Sequence, residues 1–310
     1  MNLLQIYLRV VLLFCISAVS LFAEDKSIEI LAPFDKHLQK ELTVNVVMKF
    51  DKKNFDTIKI STPAQMLELN VSSSKSTECK NVSLKLGENI IIIGGYKNGL
   101  LVDEKKRTVY VESQLYHQFK YPPQKFVKTY FHNEKNEKIC AQCHDMSVNE
   151  VKGVAFADVT KSNCYTCHKS INKEKYGHAP STNYLCTSCH NESNAESKYI
   201  TKEPSNESCF ECHDENKELW GSAKYGHEPL DSGNCTRCHN PHSSPYSMFT
   251  RKSVNDICIG CHKDKSVEAM NGSKSACNGA KNNKVCTECH TPHASNQPFF
   301  LKKISSEVKK

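Results

Sequence analysis

Residues 225–262 read YGHEPLDSGNCTRCHNPHSSPYSMFTRKSVNDICIGCH, and the pattern in this stretch recurs through the second half of the chain. It contains two Cys-x-x-Cys-His units, which begin at Cys235 and Cys258. Two further histidines flank the first unit, since His227 precedes it and His242 follows it. The stretch therefore concentrates thiols and imidazoles, the side chains that most often attach or ligate metal cofactors.

The spacing within each unit is typical of covalent haem c attachment. Two thiols separated by two residues can each add to one vinyl group of a haem, and the next histidine then lies under the iron as an axial ligand. The chain has seven such units, numbered here as motifs 1 to 7. They are Cys140, Cys143 and His144; Cys164, Cys167 and His168; Cys186, Cys189 and His190; Cys209, Cys212 and His213; Cys235, Cys238 and His239; Cys258, Cys261 and His262; and Cys286, Cys289 and His290.

Zinc and disulfide interpretations fit this pattern poorly. Zinc ribbons use Cys-x-x-Cys in pairs to complete four ligands, and seven is an odd number. Neither zinc nor a disulfide scaffold requires a histidine directly after every second cysteine. The sequence therefore predicts seven covalently attached haem c groups with iron.

The N-terminus has the pattern of a secretory signal peptide at residues 1–23. Arg9 is its one charge, an apolar run follows at 10–22, and Ala23 precedes two acidic residues. The run is short for a membrane span, so a retained anchor is the weaker alternative, and no other segment is predicted to cross a membrane. Because haem is attached outside the cytoplasm in bacteria, we expect a periplasmic or outer-surface location.

Three cysteines lie outside the motifs. Cys15 falls in the predicted signal peptide. Cys79 and Cys277 then remain, and a disulfide between them, two free thiols, or Cys277 beside a haem all stay open.

The formal net charge is +7. The haem propionates would bring about two negative charges per haem, so the holoprotein is expected to be near neutral when oxidised and acidic when reduced. Nucleic-acid binding is therefore not expected. The lysines are predicted to balance propionates and to steer redox partner proteins, whose identity as donor or acceptor the sequence does not give.

Residues 24–115 predict an all-β domain. Short alternating apolar runs recur at 27–31, 42–50, 57–61, 66–71, 82–86, 89–94 and 108–111, separated by polar turns such as 97–99. This spacing is typical of a β-sandwich. The run at 86–93, followed by 109–111, resembles the closing strands of bacterial immunoglobulin-like domains. We interpret this domain as a docking or spacer module.

Residues 116–310 predict a haem-packed multihaem cytochrome c domain of short helices and loops, after a linker at 116–123. Ser253 with Asp256 predicts a capping box for a helix that ends at Asn271-Gly272. A second helix is predicted over 206–220, ending at Gly221. The segment Tyr-Gly-His at 176–178 recurs at 225–227. Motifs 5 and 6 repeat motifs 3 and 4 at the same distance along the chain.

The segment 227–262 resembles the doubled CXXCH motif family of multihaem cytochromes c. The residues that carry this resemblance are His227, the CTRCHNPH of 235–242, and motif 6 at 258–262. The match loosens over 178–213 and 286–293, where one repeat lacks Pro-His and the last lacks a partner motif. The resemblance implies electron transfer by a periplasmic or surface cytochrome.

Seven histidines lie outside the motifs and are candidates for the distal axial position. His132, His178 and His227 each lie eight residues before the first cysteine of a motif, and His242 and His293 each lie three residues after a motif histidine. Because these offsets repeat, we predict that these five ligate haem iron, with His117 as a less supported sixth. For the seventh haem, His37, a methionine (Met146, Met248 or Met270), Cys277 or an open position all remain.

Two filled axial positions favour one-electron transfer over catalysis, because they exclude small substrates. We therefore expect an electron carrier rather than an enzyme. The alternatives are a multihaem reductase of a small inorganic oxyanion or nitrogen compound with one open haem, and a structural subunit of a homo- or hetero-assembly of surface cytochromes.

Overall fold

The structure is a computed structural model that describes residues 27–194, 196–262 and 284–302. The predicted signal peptide at 1–23, Cys15, Met270 and Cys277 lie outside these ranges. Contacts divide the chain into two compact units. The first comprises Met1–Val111 with Lys125–Val127, and the second comprises Glu112–Gln124 with Lys128–Lys310. The boundary expected at residue 115 stays a prediction, and Lys125–Val127 lies in the first unit.

The described residues of the first unit form eight strands in two sheets. A three-stranded antiparallel sheet has the order β1-β3-β6, and a five-stranded sheet has the order β2-β8-β7-β4-β5, in which only the β2–β8 pairing is parallel. The strands are β1 (Glu29–Ala32), β2 (His37–Gln39), β3 (Thr43–Lys49), β4 (Thr57–Ser61), β5 (Met66–Asn70), β6 (Thr77–Ser83), β7 (Gly87–Lys97) and β8 (Leu100–Val111).

Both sheets contribute to one hydrophobic core. Val46 and Met48 of β3 are fully buried, as are Ile58 and Ile60 of β4. They belong to a single cluster with the inward-facing isoleucines of β7. Two sheets that share a core in this way form a β-sandwich, so the first unit is rich in strands as the alternating pattern predicts.

The bounds of individual strands differ from the prediction where polar residues interrupt the alternation of apolar and polar side chains. The β4 bounds match, and the predicted turn at 97–99 joins β7 to β8 with Asn98 and Gly99 at φ 51° and 78°. However, the strand predicted at 82–86 begins at Thr77 and ends at Ser83, because the polar segment before Val82 pairs with β3 in full register. The short strand β2 was not predicted.

The second unit consists of short helices, 3₁₀ turns and loops, and no helix that the structure describes there exceeds eight residues. None of the helices within the described ranges is both long enough and apolar enough to cross a membrane. The helices are α1 (His117–Lys120), α2 (Glu134–Cys140), α3 (Tyr165–His168), α4 (Ala179–Thr182), α5 (Asn206–Cys209), α6 (Asp214–Gly221), α7 (Glu228–Asp231), α8 (Val254–Cys261) and α9 (Cys286–Cys289).

The two predicted helices are present in part. Ser253 caps α8, since its side chain accepts from the Asp256 N–H and its hydroxyl donates to the Asp256 carboxylate at 2.6 Å. That helix ends at Cys261, because His262 leaves the helical conformation, and the predicted end at 271–272 lies outside the described residues. The helix predicted over 206–220 is divided into α5 and α6 around motif 4, and α6 ends at Gly221 as predicted.

Candidate haem-binding sites

All seven motifs share one backbone geometry. In each, the backbone N–H of the histidine donates to the carbonyl of the first cysteine, at distances of 2.8 to 3.1 Å. This is a single turn of α-helical type, in which residues three and four apart lie on one face. Both thiols and the imidazole of each motif therefore face the same side, as attachment of one haem requires.

Five motif histidines lie opposite a histidine from outside the motifs. Every pair joins one predicted proximal ligand to one predicted distal ligand. The pairs, with ring-centre distances, are His132–His168 (6.0 Å), His178–His213 (6.3 Å), His190–His242 (6.2 Å), His227–His262 (6.2 Å) and His239–His293 (6.0 Å).

This spacing fits a metal ion between the two rings. A metal–imidazole bond is about 2 Å long, so two such bonds in line separate the nitrogens by about 4 Å. Each ring centre lies about 1 Å beyond its nitrogen, which gives a distance of about 6 Å between ring centres. The described pairs have the separation that an iron with two axial histidines needs.

The pairs follow two spacing rules. In the first, the histidine eight residues before motif 1, 3 or 5 faces the histidine of the next motif, and His178 opposite His213 is an example. In the second, the Pro-His segment after motif 5 or 7 reaches back two motifs. His242 therefore faces His190 of motif 3 rather than its own neighbour His239, and His293 faces His239 of motif 5.

The Pro-His segments also form backbone hydrogen bonds with the histidines that precede motifs 3 and 5 by eight residues. The His178 N–H donates to the His242 carbonyl at 2.9 Å, and His178 Nδ1 lies 3.0 Å from the Pro241 carbonyl oxygen. Two short strands extend this contact, because β9 (Tyr176–Gly177) pairs with β11 (Ser243–Ser244). A ring whose Nδ1–H donates to a carbonyl keeps the Nε2 lone pair for a metal.

The same arrangement recurs one repeat later. The His227 N–H donates to the His293 carbonyl at 3.0 Å, and His227 Nδ1 lies 2.8 Å from the Pro292 oxygen. Strand β10 (Tyr225–Gly226) pairs there with β12 (Ala294–Ser295).

Close packing explains the glycine of the repeated Tyr-Gly-His segment. A Cβ on Gly177 would lie 2.2 Å from Thr182 Cγ2, and one on Gly226 would lie 2.3 Å from Asp231 Oδ1. In both repeats the helix after the histidine therefore folds back against a backbone position that has no room for a side chain.

Three motif histidines are oriented by a carbonyl nine residues later. His190 Nδ1 lies 2.9 Å from Tyr199 O, and the matching distance is 2.8 Å at both His239 (to Met248 O) and His290 (to Phe299 O). All three carbonyl residues have positive φ, between 55° and 60°. Such a conformation is uncommon for side chains of this size, and nothing in the sequence pattern indicated it.

His132 is oriented by a carboxylate instead of a carbonyl. Its Nδ1 lies 3.2 Å from Glu137 Oε1, and Glu137 is only 7% exposed. The other carboxylate oxygen accepts from Lys198 Nζ at 2.7 Å. Burial alone would raise the pKa of Glu137, but the hydrogen bonds from Lys198 and His132 outweigh it and lower that pKa. Sequence reasoning missed Glu137 and Lys198.

The paired imidazoles are suited to bind metal at neutral pH. Desolvation, together with neighbouring histidines, lowers the pKa of His168 and that of His293 to about 4. Burial also lowers the pKa of His178 and His227. A neutral ring retains the nitrogen lone pair that a metal requires.

Successive motifs approach one another in the order of the sequence. The first cysteines of motifs 2 and 3, 4 and 5, and 6 and 7 lie near enough to shift the pKa of one another's thiols, and the remaining neighbouring motifs interact electrostatically through other cysteines. None of the fourteen motif cysteines forms a disulfide. The pairs of first cysteines are Cys164–Cys186, Cys209–Cys235 and Cys258–Cys286, and the other neighbouring cysteines are Cys140–Cys167, Cys189–Cys212 and Cys238–Cys261.

Several predicted or candidate ligands are not brought to a motif histidine. The His117 ring lies 5.9 Å from Tyr121 of its own segment, and His37 belongs to β2 of the first unit. Among the described ring contacts, none places an imidazole against His144 or His290. Met248 is 74% exposed, so its sulfur is not held against a motif.

Comparison with known proteins identifies the repeats. The family model of the doubled CXXCH motif matches residues 178–218, 227–267 and 279–308. This confirms the resemblance, and the matched motif points to a multihaem c-type cytochrome. The first two matches begin at His178 and His227, the histidines that open each structural repeat.

Other comparisons add little. No curated protein matches the chain. Among solved structures, an endo-beta-1,4-mannanase from Thermotoga petrophila is similar over 30% of this chain and 21% of its own, with 16% identity and a TM-score of 0.25. A likeness of this size carries no argument about fold or activity.

Proposed function

We propose that the protein is an exported, periplasmic or surface-located c-type cytochrome that carries electrons along a series of seven covalently bound haems. The observation that carries the proposal is the set of five facing imidazole pairs, each about 6 Å between ring centres. When bound, haem supplies an iron that changes between two oxidation states by one electron.

At five of the seven haem sites, the residues present support electron transfer rather than catalysis. Two histidines would fill both axial positions there, which excludes other ligands. In each pair the Nδ1 atom of one ring contacts a backbone carbonyl or a carboxylate, so that ring needs little movement when the charge of the iron changes. The thiols of consecutive motifs lie together, which supports a haem order that follows the sequence.

The role of the first unit is proposed from its fold alone. Its two sheets around one core are consistent with an immunoglobulin-like sandwich, and we assign it to docking of a redox partner or of a further cytochrome subunit. None of the histidines paired across the candidate sites belongs to it.

Two measurements test the proposal. Mass spectrometry of the denatured protein should show seven haems added to the chain that remains after signal cleavage. Low-temperature electron paramagnetic resonance of the oxidised protein should show at least five low-spin haems. A mass equal to that of the bare polypeptide would refute the assignment as a cytochrome.

A reductase remains the second candidate, and one observation favours it. His144 and His290 have no facing imidazole among the described residues, so the haems of motifs 1 and 7 differ from the other five. Motif 1 and its flanking segments lie within the described residues.

A further inference from the structure

The segment that follows motif 3 departs from those that follow motifs 5 and 7. Residues 190–193 read HNES, whereas 239–242 read HNPH and 290–293 read HTPH. Ser193 therefore stands where the other two repeats have His242 and His293.

The loop around Ser193 keeps the histidine contact of its counterparts but not their backbone pairing. The Glu192 N–H donates to the Ile200 carbonyl, eight residues later, whereas the Asn240 and Thr291 N–H groups donate to carbonyls nine residues later. His190 Nδ1 contacts a carbonyl nine residues later, as His239 and His290 do, so no residue has been gained or lost between these points. The loop also still reaches the histidine of the preceding repeat, because the Lys198 N–H donates to the His132 carbonyl at 2.7 Å. Ser193 thus stands at the sequence position of His242 and His293 in a loop that shares their spacing from the motif histidine but has a different backbone pairing.

Each complete Pro-His segment has two roles, and the loop after motif 3 retains neither. The first role is to orient the histidine that opens the preceding repeat through the proline carbonyl. At His132, the buried carboxylate of Glu137 orients the ring instead of a proline carbonyl. The second role is to place an imidazole opposite the histidine two motifs back. For motif 1 that position is taken by Ser193, which has no metal-binding ring.

No other histidine is seen to replace the missing one. All fourteen histidines lie within the described ranges, and ten of them form the five pairs. His290 belongs to motif 7, His117 packs against Tyr121, and His37 is in β2 of the other unit. The His144 ring is exposed, as is the second cysteine of its motif.

We propose that the haem attached to Cys140 and Cys143 has His144 as its one protein axial ligand and binds a small inorganic molecule at the opposite position. This rests on the proposed function, since it requires that motif 1 carries haem. Motif 1 lies at one end of the motif series, beside motif 2. A ligand bound there would exchange electrons with the whole series through a single neighbour.

The test uses the complete holoprotein, with carbon monoxide as the probe of the reduced state and electron paramagnetic resonance of the oxidised state. The wild type should bind carbon monoxide and show high-spin iron. Ser193→His should lower both the number of carbon monoxide sites and the number of high-spin haems by one. Glu192→Pro combined with Ser193→His restores the complete HNPH sequence and serves as the second variant. Ser193→Ala is the matched control and should change neither number.

Three outcomes would overturn the inference. One is a wild type in which all seven haems are low-spin and bind no carbon monoxide. The second is a high-spin count that rises by one in His117→Ala or His37→Ala while Ser193→His leaves it unchanged, because one of those histidines would then be the second ligand of a haem. The third is a high-spin count that stays unchanged in both Ser193 variants while His242→Ala raises it by one. Failure to find seven haems by mass would instead refute the proposed function.

Discussion

The rings of His190 and His242 lie 6.2 Å apart with their planes inclined by 6°, although one belongs to motif 3 and the other follows motif 5. His239 is three residues from His242 in the chain, yet it faces His293 instead. The rings therefore pair across repeats in one direction, since the histidine of motif 3 or motif 5 faces a histidine that follows a later motif.

Substitution of His190 and His242 tests whether the two rings ligate the same iron. We expect His242→Ala to keep seven haems and to convert one from low-spin to high-spin, because the iron beside His190 loses one of its two ligands. His190→Ala should also alter one haem. The double variant should still alter only one, since both rings serve the same iron, and this can be counted by electron paramagnetic resonance. Two altered haems in the double variant would show that the rings ligate different irons.

The carboxylate at His132 predicts a distinct redox potential for the haem of motif 2. An anionic acceptor makes the imidazole a stronger donor and favours oxidised iron. Glu137→Gln should therefore raise that potential. A difference of about 1 kcal/mol, typical of one hydrogen bond, corresponds to roughly 40 mV for one electron. Spectroelectrochemical titration measures it.

Glu134→Gln is the matched control for this experiment, because Glu134 lies on the same helix and is exposed. It should leave all potentials unchanged. Equal shifts in the two variants would mean that overall charge, rather than the contact with His132, sets the potential.

The first unit should fold without haem, and its C-terminal limit should be residue 127 rather than 115. Phe126 is 4% exposed and packs on Tyr110, and Val127 exchanges backbone hydrogen bonds with the segment around β2. Burial of a phenylalanine contributes about 1.5–3 kcal/mol, so a fragment 24–127 should be about 2 kcal/mol more stable than 24–115 in urea unfolding. Phe126→Ala in the longer fragment should remove most of this gain. Equal midpoints for both fragments would contradict the assignment of Lys125–Val127.

Acid should weaken one contact of this unit. Asp35 Oδ1 accepts from the Thr108 N–H at 2.7 Å and from the Thr108 hydroxyl at 2.8 Å. Burial opposes ionisation, but these bonds prevail and lower the pKa of Asp35. The stabilisation is therefore present above the unfolded pKa of about 3.9 and is lost as pH falls through the lower folded value.

Asp35→Asn should accordingly destabilise the fragment 24–127 at pH 6, and the difference from wild type should shrink between about pH 4 and pH 2. Urea midpoints across this pH range measure it, with Glu29→Gln as an exposed control. A difference that is constant with pH would mean that the carboxylate charge is not involved.

The residues of the candidate sites could be found from the sequence, because attachment chemistry fixes their local spacing. Cys-x-x-Cys-His needs only one helical turn, and repeated offsets singled out His132, His178, His227, His242 and His293. Three residues are too few for His239 and His242 to approach one iron from opposite sides, so the sequence predicts that His242 faces another motif, and likewise His293. Which motif each of the five histidines faces could not be predicted. The pairing depends on β9–β11 and β10–β12, contacts of two residues each between distant segments.

Side chains without a repeated offset were missed for a related reason. Glu137 has the sequence context of an exposed helix residue, and only the approach of Lys198 and His132 shows that it is buried. Lys125–Val127 lies beyond a predicted linker and carries no strand pattern, yet it packs on the first unit. In both cases one partner lies far away in sequence, Lys198 for Glu137 and Leu38 for Val127, and a single chain gives no signal of such contacts.

The backward reach of the Pro-His segments has a consequence for biogenesis. A nascent polypeptide that crosses a membrane N-terminus first delivers motif 3 well before His242. Its haem would at first have His190 as its only histidine, and the second ring would arrive only after motif 5 had been translocated. Maturation would then proceed from the N-terminus to the C-terminus. Each newly attached haem would keep one axial position open to other ligands until the later histidine had been translocated and could bind the iron.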